Sequence, residues 1–176
     1  VARVKLGSYN DVQESEPLMA STGGGDGDVA MTQLVSKRKF SGYWEYHIEQ
    51  ALFTSPPINN HSGAPLFNRK GELVGIGSLF VMDATGQNVR LPGNMFVSVD
   101  LLKPILGELQ EKGSSAASKR PWLGVTSAEQ GGRVQIVRVS KDSPAQAAGI
   151  RPGDFVLGVD GGAVTSLEAF YKAVWS

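Results

Sequence analysis

The segment Asn60-His61-Ser62-Gly63-Ala64-Pro65-Leu66-Phe67 sets a serine among tight-turn residues, directly before an apolar run. A serine hydroxyl serves as a nucleophile when a sharp turn exposes it and backbone N–H groups face the carbonyl oxygen it attacks. The chemistry this segment suits is therefore attack on an acyl carbon. The same octet also suits an ordinary surface turn, because Asn, Ser and Gly are common turn formers.

A serine hydroxyl stays unreactive until a neighbouring base takes its proton. The chain has two histidines, His47 and His61. His61 adjoins Ser62, and adjacent side chains seldom reach each other's functional atoms. His47 falls on a predicted strand and reads as a structural histidine. There is no Cys, which removes thiolate chemistry, disulfide staples and any cysteine-based zinc site. No metal and no cofactor is expected.

The elements that must position Ser62 are mostly strands. Val1–Leu6 alternates apolar and polar residues, and Pro17–Ala20 and Val29–Val35 read as further strands. Between these two, Gly23–Asp28 is a loop by composition. It is no phosphate loop, since neither Gly-Lys-Ser/Thr nor a helix follows it. Tyr43–Phe53 is aromatic and β-branched enough for a strand, Asn68–Gly71 is a hairpin turn, and Leu73–Met82 is the clearest strand. Strands at this spacing suggest a barrel or sandwich. Ser98–Leu109 reads as one helix capped by Ser98 or Asp100, with Leu101, Ile105, Leu106 and Leu109 on its apolar face. Pro104 is tolerable there only near the N-terminus.

Lys112–Arg120 is small and polar, a linker by composition. A new domain is expected from Pro121, with strands at Leu123–Thr126, Val134–Val139 and Phe155–Val159. Ser143-Pro144 opens a short helix that Gly149 ends. Ser166 caps a second helix bearing Leu167, Phe170, Tyr171 and Val174.

Charge is balanced, 17 basic against 17 acidic residues, so nothing favours nucleic acid or an anionic membrane as a partner. No apolar run approaches the ~18 residues of a membrane span. No signal peptide appears, and the start at Val1 without Met is that expected of a piece of a longer protein.

Two motifs carry a resemblance. The octet around Ser62, with Asn68–Ser78 after it, resembles the nucleophile segment of trypsin-like serine proteases, Gly-Asn-Ser-Gly-Gly-Pro-Leu in its usual form. Ser143-Pro144-Ala145 through Gly149, Gly153-Asp154 and Asp160-Gly161 closely resembles the PDZ pattern. Together they point to the HtrA (DegP-like) branch. The resemblance implies a mainly β chain: the second six-stranded barrel of a trypsin-like protease with its closing helix (1–111), a linker (112–120) and a PDZ domain of α+β type, C-terminally incomplete (121–176).

Residue by residue, the resemblance makes Ser62 the nucleophile and the N–H groups of Asn60 and Ser62 the oxyanion hole. Ser78 matches the serine beside the catalytic acid. Leu79 and Phe80 then line the substrate cleft, with Pro56 and Pro57 at the wall of the specificity pocket. Trp122-Leu123-Gly124-Val125 looks like the loop that takes a peptide's terminal carboxylate on the N–H groups of Leu123, Gly124 and Val125, after which the peptide extends the sheet. The alternative is that Leu123 and Val125 are core residues and Gly124 a turn residue.

The sequence departs from the family pattern at Asn60, which replaces Gly, at Ala64, and in a loop from Ile58 to Ser62 that is one residue shorter. In this family the histidine and aspartate come from the first barrel, which is expected to lie outside the sequence. The implied activity is cleavage of unfolded polypeptides through an acyl-enzyme, in the periplasm or cell envelope, often by trimers. The isolated chain is expected to be inactive. The competing expectation is a degenerate, non-catalytic scaffold that binds protein C-termini through its PDZ groove.

Overall fold

Residues 3–23, 28–116 and 119–176 are described by a computed structural model of the chain. Two units emerge. One runs to Lys39 and resumes from Glu49 to Ser114, and the other comprises Phe40–Ile48 and Ser115–Ser176.

The alternation seen in the sequence becomes a closed barrel, which makes up the first unit except that the facing ends of its second and third strands, within Phe40–Ile48, count with the second unit. Its strands are β1 (Pro17–Ser21), β2 (Val29–Gly42), β3 (Tyr46–Ser55), β4 (Pro65–Phe67), β5 (Leu73–Val81) and β6 (Gly93–Ser98). Their order around the barrel is β1-β2-β3-β6-β5-β4. Inward positions alternate with outward ones, as the two-residue period of a strand demands. Leu18 and Ala20 of β1, Leu34 of β2, Leu52 of β3, Leu66 of β4, Val74 of β5 and Phe96 of β6 meet in the core, joined by Val12 and Ile58 from loops. Burying one such side chain contributes about 1.5–3 kcal/mol, so the barrel holds its loops on a stiff frame.

Several expectations are corrected here. Residues 3–5 form no strand, and Leu6 makes only an isolated bridge to Leu73. Tyr43–Glu45 is the turn between β2 and β3, with Glu45 at φ 58°, so the expected strand starts three residues later and β2 is correspondingly long. Of the glycine-rich loop, residues 24–27 lie outside the described residues. The expected single helix is two pieces. Ser98 caps a 3-10 turn at Val99–Leu101, and α1 begins only at Leu106 and ends at Lys112. Pro104 explains the break: it has no N–H to donate and restricts Lys103 before it. Asp100 is no cap. Its carboxylate accepts from Ser8 Oγ and Tyr9 N, both at 2.8 Å, and from Lys103. Of the expected linker, Ser115 is buried, and residues 117 and 118 lie outside the described residues.

The second unit holds β7 (Val125–Gln130), β8 (Arg133–Val139), α2 (Pro144–Ala147), β9 (Phe155–Val156), β10 (Gly158–Val159), β11 (Gly162–Ala163) and α3 (Leu167–Val174). β7, β8 and β9 form one sheet, and β10 with β11 another. The strand expected at Phe155–Val159 therefore divides at Leu157. Asp160 and Gly161, both with positive φ, make the tight turn that folds β10 onto β11 instead. Ser143 Oγ accepts from Gln146 N and Ser166 Oγ from Ala169 N, as N-caps do. Val134, Ile136, Leu167, Phe170 and Tyr171 fill the core.

Candidate active site and peptide groove

The loop carrying Ser62 is fixed at both ends. At its start Ile58 is buried, and its N–H donates to Asn94 Oδ1 of β6 at 2.6 Å. The Pro56 carbonyl accepts from Thr32 Oγ1 of β2 at 2.9 Å. Pro57 between them is exposed. At its end, His61 to Ala64 closes a turn through Ala64 N donating to His61 O at 2.9 Å, with Gly63 at φ 77°. A left-handed residue at that place suits glycine, which has no Cβ to clash.

Asn60 also stands in the left-handed region, at φ 54°. Among non-glycine residues Asn is one of the few that accept this, so the Gly-to-Asn departure keeps the backbone turn. Ser62 is exposed. Among the described residues no protein group bonds its hydroxyl, and none takes the N–H of Asn60 or of Ser62.

The turn docks on β5 at one point. Gly63 N donates to Gly77 O, and Gly77 N to Ala64 O, both at 2.8 Å. A Cβ at Gly77 would collide with the His61 carbonyl, so only glycine lets the serine turn sit this close. Nothing in the serine motif itself marks Gly77. The Gly-x-Gly spacing of Gly75 and Gly77 inside a predicted strand is the signal that could have found it.

Ser78 follows at once, in a bulge: Gly77 pairs with Phe96 and Leu79 with Met95, leaving Ser78 as the extra residue. Bulges re-aim a side chain and bend the strand. Beyond it, Leu79–Val81 pair with β6 on one edge. On the other edge β4 pairs no further than Ile76. The Ser62 turn and Ser78–Phe80 are thus neighbours, and an edge of β5 past Gly77 carries no strand among the described residues. Phe80 is half exposed on it.

After β5 the chain turns on Asp83. Its Oδ1 accepts from Thr85 Oγ1, Thr85 N and Gly86 N, and its Oδ2 from Asn88 N. The Thr85 hydroxyl above all, with the loop amides, lowers the Asp83 carboxyl to about 2.

Neither histidine offers its ring to Ser62 through a hydrogen bond. His47 is buried in the β2–β3 hairpin, where Nδ1 lies 2.9 Å from Ser41 Oγ.

In the second unit, the N–H groups of Leu123, Gly124 and Val125 converge on one carboxylate, that of Glu45. Leu123 N donates to Oε2 at 2.9 Å, and Gly124 N and Val125 N to Oε1 at 2.7 Å each. Gly124, at φ 81°, is packed so close to Ser143 that a side chain would not fit. Tyr43 and Trp44 come with Glu45: Ser127 N donates to Tyr43 O at 2.7 Å. Tyr171 of α3 donates its hydroxyl to Gly42 O at 2.6 Å, and its oxygen accepts from Glu45 N at 3.3 Å. Burial pushes the Tyr171 phenol up to about 12, so it remains a donor at neutral pH. Glu45 was not among the residues singled out by sequence, because Tyr43–Phe53 reads as continuous strand.

The PDZ domain family model matches residues 121–176. A probable periplasmic serine endoprotease, DegP-like, from Hahella chejuensis is 33% identical over 122 residues, 61% of this chain and 24% of that protein. The serine protease Do-like HtrA of Bacillus subtilis is 32% identical over 130 residues, 61% of this chain and 27% of that protein. The chain thus spans about a quarter of the length of these relatives. Among solved structures, the HtrA-type protease AlgW with tripeptide matches with TM-score 0.58 at 21% identity, over 98% of this chain and 60% of that one. At that identity the match speaks for the fold. On these likenesses, and on the barrel and motifs described above, the chain is an HtrA-like protein with a PDZ domain, and its fold is that of HtrA-type proteases.

Proposed function

We propose that this chain is the nucleophile-bearing part of a serine endopeptidase acting on polypeptides, with Ser62 forming the acyl-enzyme. The observation that carries this reading is the exposed Ser62 in a turn seated on Gly77, with the N–H groups of Asn60 and Ser62 taken by no protein group among the described residues. Those N–H groups are the oxyanion donors; one such donor is worth roughly 3–4 kcal/mol because it meets charge that exists only in the transition state. Ser62 Oγ attacks the scissile carbonyl, a base takes its proton and returns it to the leaving amine, and water then releases the acyl group. Ser78, Leu79 and Phe80 supply a strand edge along which an extended substrate adds, with Pro57 at the pocket wall. The base comes from a histidine other than His47 and His61, so the 176-residue chain alone is inactive. Relatives named periplasmic support action in the periplasm or cell envelope, and the family resemblance supports a homotrimer.

The PDZ groove between β7 and α3 takes peptide C-termini, the carboxylate on Leu123, Gly124 and Val125. The test of the enzymatic reading is casein hydrolysis by the protein with its natural flanking sequence, against Ser62→Ala. Hydrolysis that the substitution abolishes supports it. A folded protein without hydrolysis favours the scaffold reading, whose motivating observation is Asn60 in place of the family's Gly.

A further inference from the structure

We infer that Glu45 is a built-in competitor for the peptide groove: its side-chain carboxylate occupies the site of a ligand's terminal carboxylate, and a free C-terminus binds by displacing it. The inference rests on the reading of Leu123–Val125 as a carboxylate loop.

Three features of the contact carry it. First, all three loop amides, Leu123 N, Gly124 N and Val125 N, are saturated by this one carboxylate. Charge-assisted bonds of this kind are about twice as strong as neutral ones. Second, the bond Ser127 N→Tyr43 O lies two residues on from Val125 along β7 and two residues back from Glu45 along the hairpin. Matching two-residue steps in opposite directions are those of a strand added antiparallel to a sheet edge, the way a peptide ligand extends a sheet. Third, the main chain leaves the groove at Glu45. The loop amides meet the Glu45 side-chain oxygens, while its own backbone, at φ 58°, continues into β3 at Tyr46. Tyr171 holds this exit through Gly42 O and Glu45 N. The hairpin tip therefore reproduces both anchor points of a peptide, using a side-chain carboxylate where a ligand would bring its terminus.

A competitor on the same chain acts at high effective concentration, and it weakens apparent affinity by the fraction of molecules whose groove is open. Removing it should raise the affinity for peptides about tenfold or more. The test uses fluorescence polarisation with a pool of fluorescein-labelled hexapeptides, randomised at the last four positions, with free or amidated C-termini. The proteins are the 176-residue chain and its Glu45→Gln and Glu45→Asp variants. Gln keeps the length and loses the charge; Asp keeps the charge and falls one methylene short. Amide NMR spectra of the same samples report the fold and the Leu123, Gly124 and Val125 resonances.

The expected result is that both variants bind the free-carboxylate pool about tenfold tighter than the parent chain, that the amidated pool gains nothing, and that the three amide resonances shift. Equal affinity of folded parent and variants for the free-carboxylate pool would overturn the competition and leave the groove reading standing. Unmoved Leu123–Val125 resonances would overturn the occupancy itself. A pool that binds neither parent nor variants would overturn both the competition and the reading of the groove.

Discussion

The His61 carbonyl oxygen and Gly77 approach so closely that no side chain fits between them. The serine turn is seated in a notch made by the missing Cβ. Gly77→Ala forces one backbone against another, and overpacking of this kind costs about 1–3 kcal/mol. Gly63→Ala meets nothing in space but must hold φ 77°, which costs about 1–2 kcal/mol. Chemical denaturation checks both. Gly77→Ala is expected to abolish Ser62 reactivity as well, because there the turn itself must move.

Asn94 holds the other end of the same loop. Its side-chain oxygen takes Ile58 N in a fully buried position. Asn94→Ala strands that N–H, and an unsatisfied buried donor costs about 1–3 kcal/mol. The expected outcome is a lower midpoint of denaturation and faster amide exchange at Ile58, with Asn94→Asp, which keeps an acceptor, recovering part of the loss.

Asn60 separates the two functional readings. Asn60→Gly retains the left-handed turn and is expected to change stability by no more than about 1 kcal/mol and to leave Ser62 reactivity as it was. A large gain in reactivity would mean that Asn60 had disabled the oxyanion hole. Asn60→Val, with a branched side chain at φ 54°, is expected to lose at least about 1–2 kcal/mol.

Asp83 makes stability depend on acid. Its carboxyl lies at about 2 when folded against an ordinary 3.8. Its ionised form is thus favoured by the fold. The stabilisation is complete above the unfolded value and is lost as pH falls from 3.8 through about 2. Asp83→Asn is expected to flatten the acid limb of a stability-against-pH curve in that window and to leave the neutral region sloping as before.

β1 and β2 are legible because one face of each is buried, which leaves a period of two in the sequence. Leu18 with Ala20, and Thr32 with Leu34 and Ser36, show it. β6 (Gly93–Ser98), buried on both faces at Asn94, Met95 and Phe96, carries no such period and is not among the expected strands. The helix caps at Ser143 and Ser166 are legible for local reasons, since a cap residue acts on its immediate neighbours. Elsewhere tertiary partners decide the conformation. Tyr43-Trp44-Glu45 has strand composition, yet it makes a turn whose bonds run to Ser127, Tyr171 and residues 123–125. Pro104 breaks the helix expected over 98–109, and the helical spacing of Leu101, Ile105 and Leu109 masks that break in the sequence. The turn at Ser62 stands out by its motif. Gly77 and Asn94, which hold it, are distant in sequence and carry no local signature of that role.

The most direct test of the central claim is fluorophosphonate labelling of Ser62 in the protein with its natural flanking sequence, with Ser62→Ala as control. The expected result is labelling that the control removes, together with no labelling of the 176-residue chain alone. A folded protein with its natural flanks that fails to label, or labelling that survives Ser62→Ala, would contradict it.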